Sequence, residues 1–289
     1  MHIVVTGACG QLGNHMHLAS ENSSHSFSFV DIADLDLTNE AMVWSYFRHH
    51  PADVIVNCAA YTNVDRAEDE EDAADLVNHV AVRYLAETAK SLGATLIHIS
   101  TDYVFGGNQN NTPCTENETP NPTGAYGRTK LAGEQAIMSS GCNYIIIRTA
   151  WLYSEFGKNF VKTILSVLDS QSSRKVVFDQ VGTPTYAGDL AHAILTIIDS
   201  PDFPHCQGIY NFSNEGVCSW FDFAKEIARQ VNNSSCEILP CHSSDFPSKV
   251  VRPAYSVLDK SKIKSTFSLK VPYWTDSLKL CLQKLYHEA

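Results

Sequence analysis

An α/β fold, with a doubly wound parallel sheet and a smaller C-terminal lobe, is predicted for this 289-residue chain on two observations. In the first half, short apolar runs alternate with helix-length amphipathic segments, the pattern of βαβ units. Runs such as Val54-Ile55-Val56 are apolar without alternation, as strands covered on both faces require.

Taken in order, Ile3 to Thr6 reads as a buried strand, followed by a glycine-rich turn and a helix. Phe27 to Asp31 is the second strand, Asn39 to His49 a helix, and Asp53 to Ala60 the third strand. Asp72 to Ser91 predicts one long amphipathic helix, and Thr95 to Thr101 the fourth strand. A Gly/Asn/Pro-rich loop over 106–124 precedes a helix from Tyr126 to Met138 and an apolar strand from Tyr144 to Arg148. Residues 1–150 thus form the core. Residues 151–289 form mainly a lobe, with returns to the sheet around 176–200. There, Lys158 to Leu168, Ala187 to Ile198, Phe221 to Val231 and Asp276 to Tyr286 predict helices, with Ser219 as the cap of the third. Val176 to Asp179, Ile209 to Phe212 and Glu237 to Leu239 predict short strands.

Composition narrows the function classes. Hydrophobic residues make up 44% and charged residues 18%, enough apolar material for a sizeable core. The formal net charge of -11 argues against nucleic acid as a partner, because phosphate backbones would repel the chain. Nine cysteines, an odd number without C-x-x-C spacing, argue against a disulfide framework or a zinc site and favour a reducing, cytoplasmic setting. The N-terminus enters a strand at once, so neither a signal peptide nor a membrane span is expected.

The segment Thr6-Gly7-Ala8-Cys9-Gly10-Gln11-Leu12-Gly13 joins the first strand to the first helix. Glycines there permit a tight turn and close approach of the backbone to a pyrophosphate, and the helix N-terminus offers free N–H groups. A Rossmann-type dinucleotide site follows. Asp31, at the end of the second strand, is placed to accept hydrogen bonds from adenosine ribose hydroxyls. It would repel a 2′-phosphate and no arginine stands beside it, so the cofactor is NADH or NADPH, with NADH favoured. Asp36 and Leu37 offer a carboxylate and an apolar contact for adenine. Asn57-Cys58-Ala59-Ala60-Tyr61-Thr62 closes the third strand, where small residues let a cofactor pass; Asn57 alternatively only bridges strands.

Tyr126 and Lys130 are four apart on a predicted helix and share a face. A tyrosine, with its ordinary pKa of ~10, needs help to exchange a proton at neutral pH, and a nearby ammonium lowers that value. Reduction of a ketone leaves an alkoxide that needs such a proton. Thr101, at the end of the fourth strand, adds a hydroxyl that can orient the carbonyl.

The ordered set T-G-x-x-G-x-x-G, N-C-A-A-Y-T, S-T-D-Y-V-F, Y-G-R-T-K-L-A-G-E and R-T-A-W-L-Y resembles the extended short-chain dehydrogenase/reductase family, and within it the dTDP-4-dehydrorhamnose reductases. The resemblance runs from residue 1 to about 186 and weakens afterwards. It implies reduction of a 4-keto group on dTDP-4-dehydro-L-rhamnose. Tyr126 would be the proton donor, Lys130 would tune it and hold the nicotinamide ribose, and Thr101 would bond the keto oxygen. Gly7, Gly10, Gln11, Leu12 and Gly13 would meet the pyrophosphate. Ala59, Ala60, Tyr61 and Thr62 would flank the nicotinamide half. Asp102, Tyr103 and Trp151 would line the sugar pocket; Trp151 alternatively is a core or hinge aromatic.

Tyr103 stands where related sugar dehydratases carry a second carboxylate, which argues against dehydration. The resemblance also leaves open a non-catalytic NADP-binding regulatory subunit like that of methionine adenosyltransferase, and a nucleotide-sugar epimerase. Some family members form dimers through Mg²⁺ held by glutamates. The matching positions here are His15, Asp189 and Lys284, a poor set for that ion, so a metal-bridged dimer is not expected, while a monomer stays open among the oligomeric states. Arg252, before Pro253, is a candidate contact to the substrate diphosphate, or else a surface salt bridge. Lys158, Asn159 and Lys249 are looser candidates.

Overall fold

The structure is a computed structural model and describes residues 1–232, 235–246 and 248–287. The first five strands are β1 (His2–Thr6), β2 (Ser26–Val30), β3 (Val54–Asn57), β4 (Thr95–Thr101) and β5 (Asn143–Thr149). Short strands follow: β6 (Leu152–Tyr153), β7 (Ser173–Val177), β8 (Val181–Gly182), β9 (Thr185–Tyr186), β10 (Gly208–Asn211), β11 (Cys218–Ser219) and β12 (Glu237–Cys241). The main sheet has the order β2-β1-β3-β4-β5-β10, and every neighbouring pair is parallel. Chain order reverses between β1 and β3, which opens a crevice at the carboxyl ends of these strands, the place where doubly wound sheets bind ligands.

The helices are α1 (Gln11–Ser20), α2 (Glu40–His49), α3 (Val64–Ala67), α4 (Glu71–Asp75), α5 (Ala81–Leu92), α6 (Ala125–Ser140), α7 (Phe160–Ser170), α8 (Ala187–Asp199), α9 (Trp220–Gln230), α10 (Ser261–Phe267) and α11 (Trp274–His287). The strand period of two sorts the core. Ile3, Val5, Val56 and Ile97 face α1 and α8, whereas Val4, Ile55, Leu96 and Ile146 face α2, α5 and α6. A separate apolar cluster joins α7, α9 and α11 over the lobe.

Two expectations change on inspection. The single helix predicted over Asp72–Ser91 is three abutting pieces, with a π-turn, Leu76–Val80, between α4 and α5. The extra residue lets the buried Asn78 side chain turn to the cleft, where it accepts from the Tyr61 amide and donates to the Tyr61 carbonyl and the Thr129 hydroxyl. The predicted strand near 176–179 does not return to the main sheet. β7 pairs in parallel with β12 inside the lobe, and the chain rejoins the core through α8, packed on α1, and through β10. Ser219 caps α9 in a reciprocal pair with Asp222, as its position suggested.

Candidate active site

The turn after β1 is built for close approach. Gly7 has φ +68, and a Cβ there would fall 2.6 Å from the Ala59 amide nitrogen. A Cβ on Gly13 would collide with the Gly7 carbonyl and Ala8. Gly10 precedes α1 as its N-cap and brings no side-chain cap, so the N–H groups of Gln11, Leu12 and Gly13 remain for an anion. The Gln11 side chain faces away from that role: it accepts from Asn159 and Ser154, tying the turn to the lobe.

Asp31 closes the outer side of this turn. Its carboxylate accepts the Cys9 amide at 2.7 Å and the Ile32 amide at 2.8 Å. Burial pushes this carboxyl up, but the two amides outweigh it and hold it below the ordinary carboxylate value. The thiol of Cys9 is raised, first by the charge of Asp31, with burial and Asp34 adding, so the field at the turn is negative. Asp36 accepts the amide and hydroxyl of Thr38, and Leu37 packs at the edge of the core beside it.

At the end of β3, Asn57 does bridge strands. Its Oδ1 accepts the Thr6 hydroxyl at 2.8 Å and the Ala59 amide at 3.1 Å, and its Nδ2 meets His98 Nδ1 at 3.0 Å. Ala59 and Ala60 are half-buried, Thr62 is exposed, and the Tyr61 hydroxyl donates to Glu70.

The tip of β4 carries Thr101, whose hydroxyl donates to Asp102 and accepts the Tyr103 amide. The Tyr126 phenol lies near enough to the Thr101 hydroxyl for that hydroxyl to act on its acidity. Burial raises the phenol to about 12, which the Thr101 hydroxyl partly offsets and the charge of Asp102 reinforces. The expected lowering by Lys130 is absent, because the lysine turns elsewhere. Its Nζ donates to the Ile99 carbonyl at 2.6 Å and lies 3.2 Å from His98 Nε2. Burial lowers Lys130 to about 8, with Glu134 opposing.

Asp102 is 2% exposed, and its Oδ2 has no hydrogen-bond partner. Burial raises its carboxyl to about 6, partly offset by the nearby Ser256 hydroxyl and by the hydrogen bond from Thr101. The Tyr103 ring meets that of Tyr126 edge-on, with centroids 5.4 Å apart. Trp151 sits just past β5 in the left-handed region, at φ 50, with its ring stacked 3.6 Å from that of Trp220. Gly182 leaves no room for a side chain between the Trp151 indole and the Ser256 hydroxyl, so the indole is a neighbour of the hydroxyl that acts on the Asp102 carboxyl. Such a conformation in a bulky residue is strained and persists only where packing holds it.

Other sequence candidates lie outside this centre. Arg252 is paired with Asp65 at 2.8 Å and Lys249 with Asp69, as surface ion pairs on the acidic α3 region, and the nearby Arg252 charge acts on Tyr103. Asn159 caps α7, and Lys158 is exposed. His15 and Lys284 both bond Glu155, whereas Asp189 accepts from Asn214 and Ser277. No cluster of three or more metal-ligating side chains occurs among the described residues. All nine cysteines are free, and no described helix is long and apolar enough to cross a membrane. The residues missed by sequence reasoning are His98, Asn78 and Ser256. His98 left one signal, a polar residue inside the apolar strand leading to Thr101.

Comparison with known proteins places this geometry. The family described as RmlD substrate binding domain matches residues 1–287. The spore coat polysaccharide biosynthesis protein SpsK of Bacillus subtilis is 36% identical over 282 residues, 98% of this chain and 97% of that protein. The crystal structure of a dTDP-4-dehydrorhamnose reductase from Clostridium acetobutylicum superposes with a TM-score of 0.94 at 39% identity, covering 99% of this chain and 100% of that one. A dTDP-4-dehydrorhamnose reductase from Bacillus anthracis, in complex with NADP, gives 0.91 at 35% identity, covering 98% and 99%.

Proposed function

The chain belongs to the RmlD substrate binding domain family, alongside dTDP-4-dehydrorhamnose reductases, and from that premise we propose that it reduces the 4-keto group of dTDP-4-dehydro-L-rhamnose to dTDP-L-rhamnose. The observation that carries this reading is the nearness of the Thr101 hydroxyl to the Tyr126 phenol at the tip of β4, together with a glycine turn shaped for a dinucleotide. The bound nicotinamide supplies the hydride. Tyr126 supplies the proton: raised to about 12, the phenol is fully protonated at neutral pH and still far more acidic than an alkoxide. The Thr101 hydroxyl would orient the keto oxygen, and Lys130 would hold the nicotinamide ribose. Asp102, Tyr103 and Trp151 line the sugar pocket, where the unpartnered Asp102 Oδ2 accepts from a sugar hydroxyl. Arg252 reaches the diphosphate after exchanging its pairing with Asp65.

NADH is the favoured donor. The Asp31 carboxylate is ionised at the turn and Asp34 adds to the negative field, which opposes a 2′-phosphate. The enzyme works in the cytoplasm and forms no metal-bridged dimer, since His15 and Lys284 are spent on Glu155 rather than on a shared metal. Magnesium-dependent dimerisation on a sizing column would overturn that last point.

The test is oxidation of NADH and of NADPH by the purified chain with a panel of 4-keto nucleotide sugars. The reading predicts one cofactor oxidised per dTDP-4-dehydro-L-rhamnose consumed, faster with NADH. Cofactor binding without oxidation of any ketone would point instead to a regulatory subunit. NAD retained through the cycle without net oxidation would point to an epimerase.

A further inference from the structure

At the turn from core to lobe, the bulkiest residue type stands where glycine would be at ease. β5 ends at Thr149 in the main sheet, and β6 begins at Leu152 in a pair with β9. Trp151 makes the bend between them at φ 50, and its carbonyl accepts the Thr185 amide at 3.1 Å. A glycine would make this bend without strain, so the backbone alone gives no reason for an indole. The reason lies with its neighbours. Trp151 packs at once on the lobe cluster and on a small cluster at the tip of β4, formed by Val104, Phe105, Cys114, Ala150 and Leu258. Its ring stacks on that of Trp220, with centroids 3.6 Å apart and an interplanar angle of 12°. A Cβ on Gly182 would fall 2.7 Å from its Cε2, so β8 touches the same indole.

Trp220 is itself anchored. It follows Ser219, the last residue of β11 and the cap of α9, and β11 pairs with β8 through Cys218 with Gly182 and Ser219 with Val181. The Phe160 ring supports it at 4.6 Å. Phe160 opens α7 directly after Asn159, whose amide donates to Gln11 in the glycine turn. The rings of Phe160, Trp220 and Trp151 thus link the cofactor turn to the Ser256 hydroxyl beside Asp102. Trp220 is only half-buried, so its ring is more than filler for the lobe core. We infer that Trp220 is a positioning residue for the reduction: its indole holds that of Trp151 against Gly182, where Trp151 forms a wall of the sugar pocket. The inference rests on the reading of Trp151 as part of that pocket. Without Trp220, the Trp151 indole loses its stacking partner while the strain of its backbone remains, and the wall becomes mobile.

Two readouts test this on the full chain. Trp220→Leu removes the stacking face, whereas Trp220→Phe keeps an aromatic ring. In Trp220→Leu, KM for dTDP-4-dehydro-L-rhamnose is expected to rise about tenfold with kcat and NADH affinity little changed, because the wall binds ground state and transition state alike. Trp220→Phe is expected to recover most of that loss. The second readout needs no turnover. The chain has four tryptophans, so 5-fluorotryptophan labelling gives four ¹⁹F resonances, each assigned through a Trp→Phe variant. In Trp220→Leu the Trp151 resonance is expected to broaden or split in the free protein, while that of Trp44 on α2 stays as in wild type. A folded Trp220→Leu protein with a single sharp Trp151 resonance, or with an unchanged KM, reduces Trp220 to core packing and overturns the inference. A loss that falls equally on NADH affinity does the same. Should Trp220→Leu fail to fold, Gly182→Ala reaches the same indole from β8: its Cβ displaces the ring and is expected to raise KM, and an unchanged KM there overturns the inference. If the chain oxidises no cofactor, the proposed activity fails, and the Trp151 line shape still decides the role of Trp220.

Discussion

Two buried polar clusters in this molecule use the same residue types to opposite ends. At the junction of core and lobe, Glu155 is bonded by His15 at 3.1 Å, by Lys284 at 3.2 Å and by the Tyr186 hydroxyl. Burial alone would raise this carboxyl, but His15 and Lys284 outweigh it and hold it at about 2. At the tip of β4, Asp102 is equally buried and leaves Oδ2 unpaired, and its carboxyl rises to about 6. On α6, Lys130 falls to about 8 and Tyr126 climbs to about 12. The junction spends every charge on a partner and is structural. The cleft keeps hydrogen-bonding capacity unspent, at a cost in stability, and that capacity is what a substrate can use.

The contrast can be broken by substitution, beginning with the junction. Glu155→Gln is expected to lower stability by about 3 kcal/mol at pH 7, measured by urea unfolding. Because the folded-state value lies below the unfolded one, this contribution is full above about pH 5 and fades as pH falls toward 2. Equal stabilities at pH 7 would mean that the pairing offsets nothing. In the cleft the sign reverses. Asp102→Asn is expected to stabilise the fold by roughly 2 kcal/mol at pH 8, because the native carboxylate is ionised there against its surroundings. Between the ordinary value and about 6 the unfolded chain binds fewer protons than the folded one, so wild-type stability falls as pH rises through that window. The gain should disappear near pH 4, and a destabilised Asp102→Asn at pH 8 would remove the contrast. The smallest effect belongs to Lys284→Met. That side chain is 45% exposed, so solvent screening limits its loss to under ~1 kcal/mol. A larger loss would show that the lysine, and not His15, holds Glu155 ionised.

The sequence made the cleft readable where function depends on local chemistry. The turn glycines, Asp31, Thr101, Tyr126 and Lys130 each belong to a short segment whose strand or helix could be read from its own pattern. What stayed hidden depends on partners far along the chain. The π-turn at Asn78 exists because Tyr61 and Thr129 reach it from other elements. The pairing of β7 with β12 joins segments on either side of α8 and α9, so a local apolar run could not say which sheet it enters. Lys130 turns from Tyr126 to meet His98 and the Ile99 carbonyl on β4, more than thirty residues earlier in the chain. The partners of Arg252 and Lys249, Asp65 on α3 and Asp69 just after it, also lie far along the chain.

The central claim is that the Tyr126 hydroxyl carries the proton of the reduction, and Tyr126→Phe tests it most directly. The ring remains and only the hydroxyl is removed, so NADH titration by fluorescence should give an affinity within a few-fold of wild type. Turnover of dTDP-4-dehydro-L-rhamnose should fall by about 10²–10⁴-fold. A variant that binds NADH normally and still turns over at near the wild-type rate would contradict the account.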